Sequence, residues 1–356
     1  MTAGRARRAL RLAPVLIGPW TVAVFLAAQL SDVGLDRNPL AVELGRSALV
    51  GVLIGAAAAW LETGTGPLAR WGRRLPLAAA LAARTVSYAT VVALALASLI
   101  AVVSWREART GLGEAVRSAD FQAVVRGHEF WVFLALLMAA SFVVNFGLQL
   151  RRVLGPETLK ALFLGTYRRP QREERAFAFL DLTDSTAWAE RLGPLRFTDF
   201  KNDFFADVAE PVLATGGRIV QYVGDEVMVS WPMKRALRDA APLRFYFLVE
   251  DRVAAHADRY RQRYGDVPRF KAGVHGGWVV TAEVGDLKRD IVHSGDVVNT
   301  AARIEGECRP RGCALLVSDA LSARMPPLAE ATRTALGPAD LRGKSEPVGL
   351  VSVARP

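Results

Sequence analysis

The chain has 356 residues, 51% of them apolar, and a formal net charge of +10. That length and hydropathy call for more than one domain and for some membrane content. The first 150 residues hold 14 arginines against 8 acids; this excess flanks apolar runs and reads as topology and lipid contact, which sets nucleic-acid binding aside.

Four candidate spans come first: Leu12–Leu30, Ser47–Leu61, Thr85–Val103 and Phe130–Leu148. The first, third and fourth are each 19 residues long, enough for a bilayer core of ~30 Å. The second has 15 residues and can borrow Leu40–Leu44. Runs such as Thr85–Val103 lack the polar face of a soluble helix. Arg5, Arg7, Arg8 and Arg11 precede the first run as they would a signal peptide, but three further spans follow, so it reads as an anchor. Arg70, Arg73 and Arg74, with Arg151 and Arg152 after the fourth span, place both termini in the cytoplasm. The expected location is therefore the cell (inner) membrane, multi-pass, with the C-terminal half cytoplasmic.

Residues 1–150 thus form a helical transmembrane domain and 151–174 a juxtamembrane connection. Gly155-Pro156 breaks the backbone there, and Glu157–Tyr167 reads as a short amphipathic helix. The charged link Arg168–Arg175 is either a spacer or a transducer. From 175 to 356 strands and helices alternate. Ala176–Leu182 is a strand and Thr186–Thr215 is largely helical. The runs 218–223 and 227–231 form a hairpin, and a helix covers Asp239–Tyr264. Strands follow near Phe270–His275 and Val279–Glu283, then a helix from about Gly295. A strand at Ala314–Val317 and a pair at Ala331–Leu336 and Gly349–Val353 complete the domain. That is an α+β sandwich on a mixed sheet. Cys308 and Cys313, in a cytoplasmic setting without histidine partners at ligand spacing, read as structural thiols.

Three stretches carry chemistry. Arg218-Ile-Val-Gln-Tyr-Val-Gly-Asp-Glu-Val-Met-Val-Ser-Trp231 turns at Gly224 and presents Asp225 and Glu226 at its tip. Phe177-Ala-Phe-Leu-Asp-Leu-Thr-Asp184 ends a strand on Asp181; if the two are neighbours, Asp181 and Asp225 converge as oxygen ligands for hard divalent cations. The loop Thr183-Asp-Ser-Thr186 enters a helix and offers N–H groups to phosphate oxygens. In Gly295-Asp-Val-Val-Asn-Thr-Ala-Ala-Arg-Ile-Glu305, Asn299 and Arg303 are four apart and share a helix face.

Taken in order, with Phe270-Lys-Ala-Gly-Val-His-Gly-Gly277 between them, these stretches resemble the catalytic domain of the class III nucleotidyl cyclases, over about Arg175 to Pro356. The resemblance implies a ferredoxin-like βαββαβ core and formation of a 3′,5′-cyclic nucleotide and pyrophosphate from a nucleoside triphosphate. It implies two Mg²⁺ or Mn²⁺ per site on Asp181, Asp225 and the Leu182 carbonyl. Thr183, Ser185 and Thr186 would lie at the phosphates. Arg303 would stabilise charge on the α-phosphate, Asn299 would orient the ribose, and Lys344, with Arg342 as competitor, would bind the triphosphate. It also implies an antiparallel homodimer in which one protomer supplies the carboxylates and the other Asn299 and Arg303. His275 reads as a packed core histidine.

Two positions depart from the family's pattern. Where adenine-selecting members carry lysine this chain has Gln221, and at the second base-reading position it has Val292. A Gln amide both donates and accepts, which suits adenine better than guanine. The expectation is a membrane-bound adenylate cyclase acting on ATP, with a guanylate cyclase or a catalytically silent cyclase-like receptor as alternatives.

Overall fold

The computed structural model describes residues 119–356 apart from Lys288, and isolated positions between 76 and 117. The expected spans Leu12–Leu30 and Ser47–Leu61, and all but a few positions of Thr85–Val103, lie outside the described residues. The chain divides into two units, Met1–Leu159 and Lys160–Pro356.

In the first unit, a short helix Ala119–Arg126 precedes α1 (His128–Leu154). Its window Phe130–Leu150, 21 residues with mean hydropathy 2.1, is long and apolar enough to cross a membrane by length and composition. Trp131, Phe142, Val143 and Phe146 point outward on it. Gly155, at φ +79°, ends α1, and Pro156 opens α2 (Pro156–Leu164) with the fixed φ that suits a first helical position.

The second unit is built on an eight-stranded sheet in the order β2-β3-β1-β4-β6-β8-β7, with β5 paired to β4. The strands are β1 (Gln171–Leu182), β2 (Arg218–Val223), β3 (Glu226–Pro232), β4 (Phe270–Val284), β5 (Asp290–Ser294), β6 (Leu315–Ser318), β7 (Thr332–Ala339) and β8 (Val348–Ala354). Contacts β1–β3, β1–β4 and β2–β3 are antiparallel, and β4–β6 is parallel. With α3 (Ser185–Thr215) between β1 and β2, and α4 (Ala241–Ala255) and α5 (Ala257–Tyr264) between β3 and β4, the order β4-β1-β3-β2 is the ferredoxin-like βαββαβ arrangement.

Strand β1 is buried on both faces, which is why it reads as a nearly continuous apolar run. Ala176, Ala178, Leu180 and Leu182 meet Phe200, Phe204, Val208 and Phe245 from the helical layer. Phe177 and Phe179 on the opposite face join Met228, Val279 and Ala301 beneath α6 (Asp296–Gly306). At the far end of β4, the Glu283 N–H donates to the Tyr167 carbonyl at 2.8 Å, tying the strand to the segment after α2.

Several boundaries differ from the sequence reading. The two strands expected near Phe270–His275 and Val279–Glu283 are one 15-residue strand. Gly276 and Gly277 do not break it; they mark close approach. A Cβ at Gly276 would lie 2.7 Å from Met233 Cε, and one at Gly277 would lie 2.9 Å from Val297 Cγ2. Gly273 is tighter still, since its Cβ would fall 2.1 Å from the Glu305 backbone nitrogen. Backbone cannot rotate aside as a side chain can. Gly273→Ala is therefore expected to cost about 3 kcal/mol, a fall of roughly 6–12 °C in Tm for a unit of this size, measured by thermal unfolding of the purified chain.

The helix expected over Asp239–Tyr264 is divided. Met233–Arg238 is a separate helix, Ala240 takes φ +46° before α4, and His256 separates α4 from α5. The long helix α3 is interrupted at Gly193 (φ 72°, ψ 164°), just before Pro194. Strand β5 was not expected; only Ile291 and His293 of its five residues are buried.

Candidate active site

The hairpin forms as its sequence demands. Gly224 sits at φ +64°, and the β2–β3 turn places Asp225 beside the end of β1. Lys201 Nζ braces the turn at 3.3 Å from the Gly224 carbonyl. In register, Asp181 lies opposite Glu226 of β3 on one side and Lys271 of β4 on the other. Asp181 and Asp225 converge: burial pushes the Asp181 carboxyl above its ordinary range and the Asp225 carboxylate adds to the shift, while Lys271 opposes it.

Three further charged groups join them. Lys271 Nζ is 3.0 Å from Asp181 Oδ2 and is also hydrogen-bonded to Glu305 Oε1. Glu226 is pushed up to about 7, first by burial, then by Glu305 and Asp181. One ammonium thus faces four carboxylates, Asp181, Asp225, Glu226 and Glu305. Such an excess of hard, partly desolvated oxygen donors fits divalent cations. Among the described residues no three ligand-type side chains form a ready-made cation cage, so the fit rests on Asp181, Asp225 and the backbone of Leu182, which lines the same cleft.

That cleft, about 520 Å³, is walled by Asp181 to Thr186, Arg269 to Lys271, and the loop carrying Cys308, Arg309 and Cys313. The Thr183 N–H is engaged by the Arg269 carbonyl at 2.8 Å. Ser185 and Thr186 lie in the first turn of α3, where intrahelical bonding leaves N–H groups unused. Arg269 Nη2 holds Asp184, at φ +56°, by a 3.2 Å contact.

The second half of the site stands on α6. Asn299 is exposed there, and Arg303 has its Nη1 buried without a hydrogen-bond partner, a guanidinium nitrogen suited to a phosphate oxygen. The turn through Gly343 packs against Arg303. It sets Lys344 Nζ 2.5 Å from Asp296 Oδ2, and this contact holds the Asp296 carboxyl below its usual range. Asn299, Arg303 and Lys344 are thus brought together. Glu305, two residues past Arg303 and so about 200° around the helix, faces the sheet and Lys271 instead. Arg303, packed against the Gly343 turn, thus lies on a different side of α6 from Glu305 and Lys271.

Gln221 is exposed on β2 just after a register shift, and Val292 is 40% exposed on β5. His275 Nδ1 is 2.7 Å from Ser318 Oγ, and burial lowers its pKa to about 4; it is a packed neutral histidine. Cys308 is buried, its thiol pushed up to about 12 by burial, and Cys313 packs against the same apolar cluster as Ile304 and Leu316. Both are free thiols. Glu226 was legible as a carboxylate at the hairpin tip, but Lys271 and Glu305 escaped the sequence reading. Their signal was parity: Lys271 alternates with Gly273 and His275 on the strand face that meets α6, and Glu305 follows Ala301 by one helical turn.

The family model for the adenylate and guanylate cyclase catalytic domain matches residues 168–349. The chain belongs to that family. This cyclase-family chain is 40% identical over 220 residues to adenylate cyclase 2 of Rhizobium meliloti (strain 1021), covering 62% of this chain and 61% of that protein. It is 29% identical over 191 residues to adenylate cyclase 1 of the same organism, covering 52% of this chain and 28% of that protein. It therefore spans less than two thirds of the length of either relative. Its fold is similar to that of a bacterial light-regulated adenylyl cyclase of known structure, with a TM-score of 0.53 at 20% identity over 65% of this chain and 67% of that one.

Proposed function

We propose that the chain is a membrane-bound adenylate cyclase that converts ATP to 3′,5′-cyclic AMP and pyrophosphate at a homodimer interface. What carries this reading is the 40% identity over 220 residues to a protein named adenylate cyclase 2. The convergence of Asp181 and Asp225 at the end of β1, and the shared helix face of Asn299 and Arg303 on α6, support it. In the reaction the ribose 3′-oxygen forms a bond to the α-phosphorus, the bond to the β-phosphate oxygen breaks, and the hydroxyl proton leaves to solvent. Two Mg²⁺ or Mn²⁺ held by Asp181, Asp225 and the Leu182 carbonyl would supply charge neutralisation and a more acidic 3′-hydroxyl. The N–H groups of Ser185 and Thr186 and the Lys344 ammonium bind the polyphosphate. Asn299 fixes the ribose, and Arg303, always charged, takes up negative charge growing on the α-phosphate. Arg303 packs against the Gly343 turn while Glu305, about 200° around α6, meets Lys271 beside Asp181; this separation supports a site completed by a second copy.

The test is product analysis of the purified full chain with ATP and, separately, GTP. Gln221 can satisfy adenine fully and guanine only in part. Unpaired guanine donors cost ~1–3 kcal/mol, and Val292 adds no hydrogen bond, so kcat/KM should favour ATP by roughly 5- to 10-fold. In Gln221→Ala that ratio should collapse. Equal use of both nucleotides by the wild type supports the guanylate alternative, and an unchanged ratio in the variant removes Gln221 from base reading.

The membrane assignment rests on the apolar window Phe130–Leu150 and on the composition of the residues before it. Four spans with both termini in the cytoplasm predict that reporter fusions after Gly72 and Gly155 read cytoplasmic and those after Val33 and Gly113 read the opposite side. A cytoplasmic signal at Gly113 means that one span, most simply 47–61, does not cross.

A further inference from the structure

Lys271 touches both halves of the catalytic apparatus. It sits second in β4, opposite Asp181 in register, and its ammonium bonds Asp181 on β1 and Glu305 on α6. The three side chains are only 17%, 22% and 9% exposed, so solvent screens these pairs less than surface ones. The Glu305 backbone rests directly on Gly273 of the same strand. Arg303 and Asn299 project from the other side of the same rigid helix.

We propose that Lys271 is a positioning residue with two linked tasks: it competes with the divalent cation for Asp181, and it passes the outcome to the helix that carries Asn299 and Arg303. The inference rests on the composite-site reading above, in which Asp181 serves one site of the dimer and Arg303 of the same chain serves the other. A cation at Asp181 repels the ammonium, which then pairs with Glu305 alone and pins α6 more firmly to β4. Occupancy at one site is thereby felt at the arginine of its neighbour.

The first test needs no turnover. Mn²⁺ is titrated into the nucleotide-free full chain, and free Mn²⁺ is read by electron paramagnetic resonance. Lys271→Met should bind Mn²⁺ about tenfold more tightly than wild type, a difference of ~1.4 kcal/mol, and Lys271→Arg should match wild type. Lys201→Met removes an equal charge beside the hairpin without touching Asp181 and should stay within about twofold, since its exposed charge is well screened. Equal Mn²⁺ affinity in wild type and Lys271→Met, or equal tightening by Lys201→Met, overturns the competition. Lys271→Gln repeats the measurement should the methionine variant unfold.

The second test uses a heterodimer of an Asp225→Asn chain and an Asn299→Ala chain, which holds one intact site. Lys271→Met placed on the Asp225→Asn chain lies in the damaged site, yet that chain supplies Arg303 to the intact one. A fall in kcat of about tenfold with KM little changed is expected, because Arg303 acts on charge formed in the transition state. An unchanged kcat overturns the transmission. A wild-type chain that makes no cyclic nucleotide refutes the proposed function, while the Mn²⁺ titrations still decide the competition.

Discussion

Asp225→Asn is expected to lower turnover on the order of a thousandfold while melting within a few degrees of the wild type. Asparagine is as much at home in a turn as aspartate, and Gly224 supplies the positive φ the hairpin needs. What the substitution removes is one formal charge from the tip. That charge is one of the two carboxylates proposed to hold the cations, and burial raises the pKa of the other, Asp181. Asp181→Asn should be as damaging to turnover, and it also deprives Lys271 of one partner. The measurement is kcat with Mg²⁺ and with Mn²⁺, beside a thermal melt. Substantial activity that still requires metal takes Asp225 out of the cation set.

Mixing two dead chains is expected to revive activity. Asp225→Asn lacks the cation half and Asn299→Ala lacks the ribose half, so each homodimer has two broken sites. A heterodimer has one doubly broken site and one intact site. With random pairing in a two-fold dimer, roughly a quarter of wild-type activity should return, rising with protein concentration as dimers form. The structural ground is the angle on α6: Glu305 meets Lys271 on the sheet side, and Arg303 and Asn299 face elsewhere. No recovery despite demonstrated heterodimers excludes the shared site.

Much of this arrangement was legible in the sequence because local rules decided it. Gly224-Asp225 between two β-rich runs could only be a tight hairpin, and the short apolar run through Ala176–Leu182 made β1. The four-residue spacing of Asn299 and Arg303 fixed their common face. What escaped depended on partners far along the chain. Gly276-Gly277 read as a break because glycine weakens strands, yet Met233 and Val297 occupy the space a side chain would need. Strand β5 has only five residues, and its buried His293 bonds Thr281 of β4, a pairing no local pattern announces. Lys271 and Glu305 carried no role in the sequence until β4 and α6 brought them to Asp181. Thr183 was read as an open donor, but Arg269 lies next to it in space, 86 positions on, and takes its N–H.

The glycine bed under α6 also governs how displacement travels. Where side chains separate a helix from a sheet, rotamer changes can absorb a shift of an ångström or so before the backbone follows. At Gly273 that compliance is missing, since the Glu305 backbone is seated on the strand itself. Strand β4 is one piece from Phe270 to Val284, and its far end is held by the Tyr167 carbonyl. A slide of β4 along its own axis, started at Tyr167, would reach Asn299 and Arg303 almost undamped. The stiffness of this path makes the segment around Tyr167 the place where a small mechanical input to the domain would have the largest effect on the arginine.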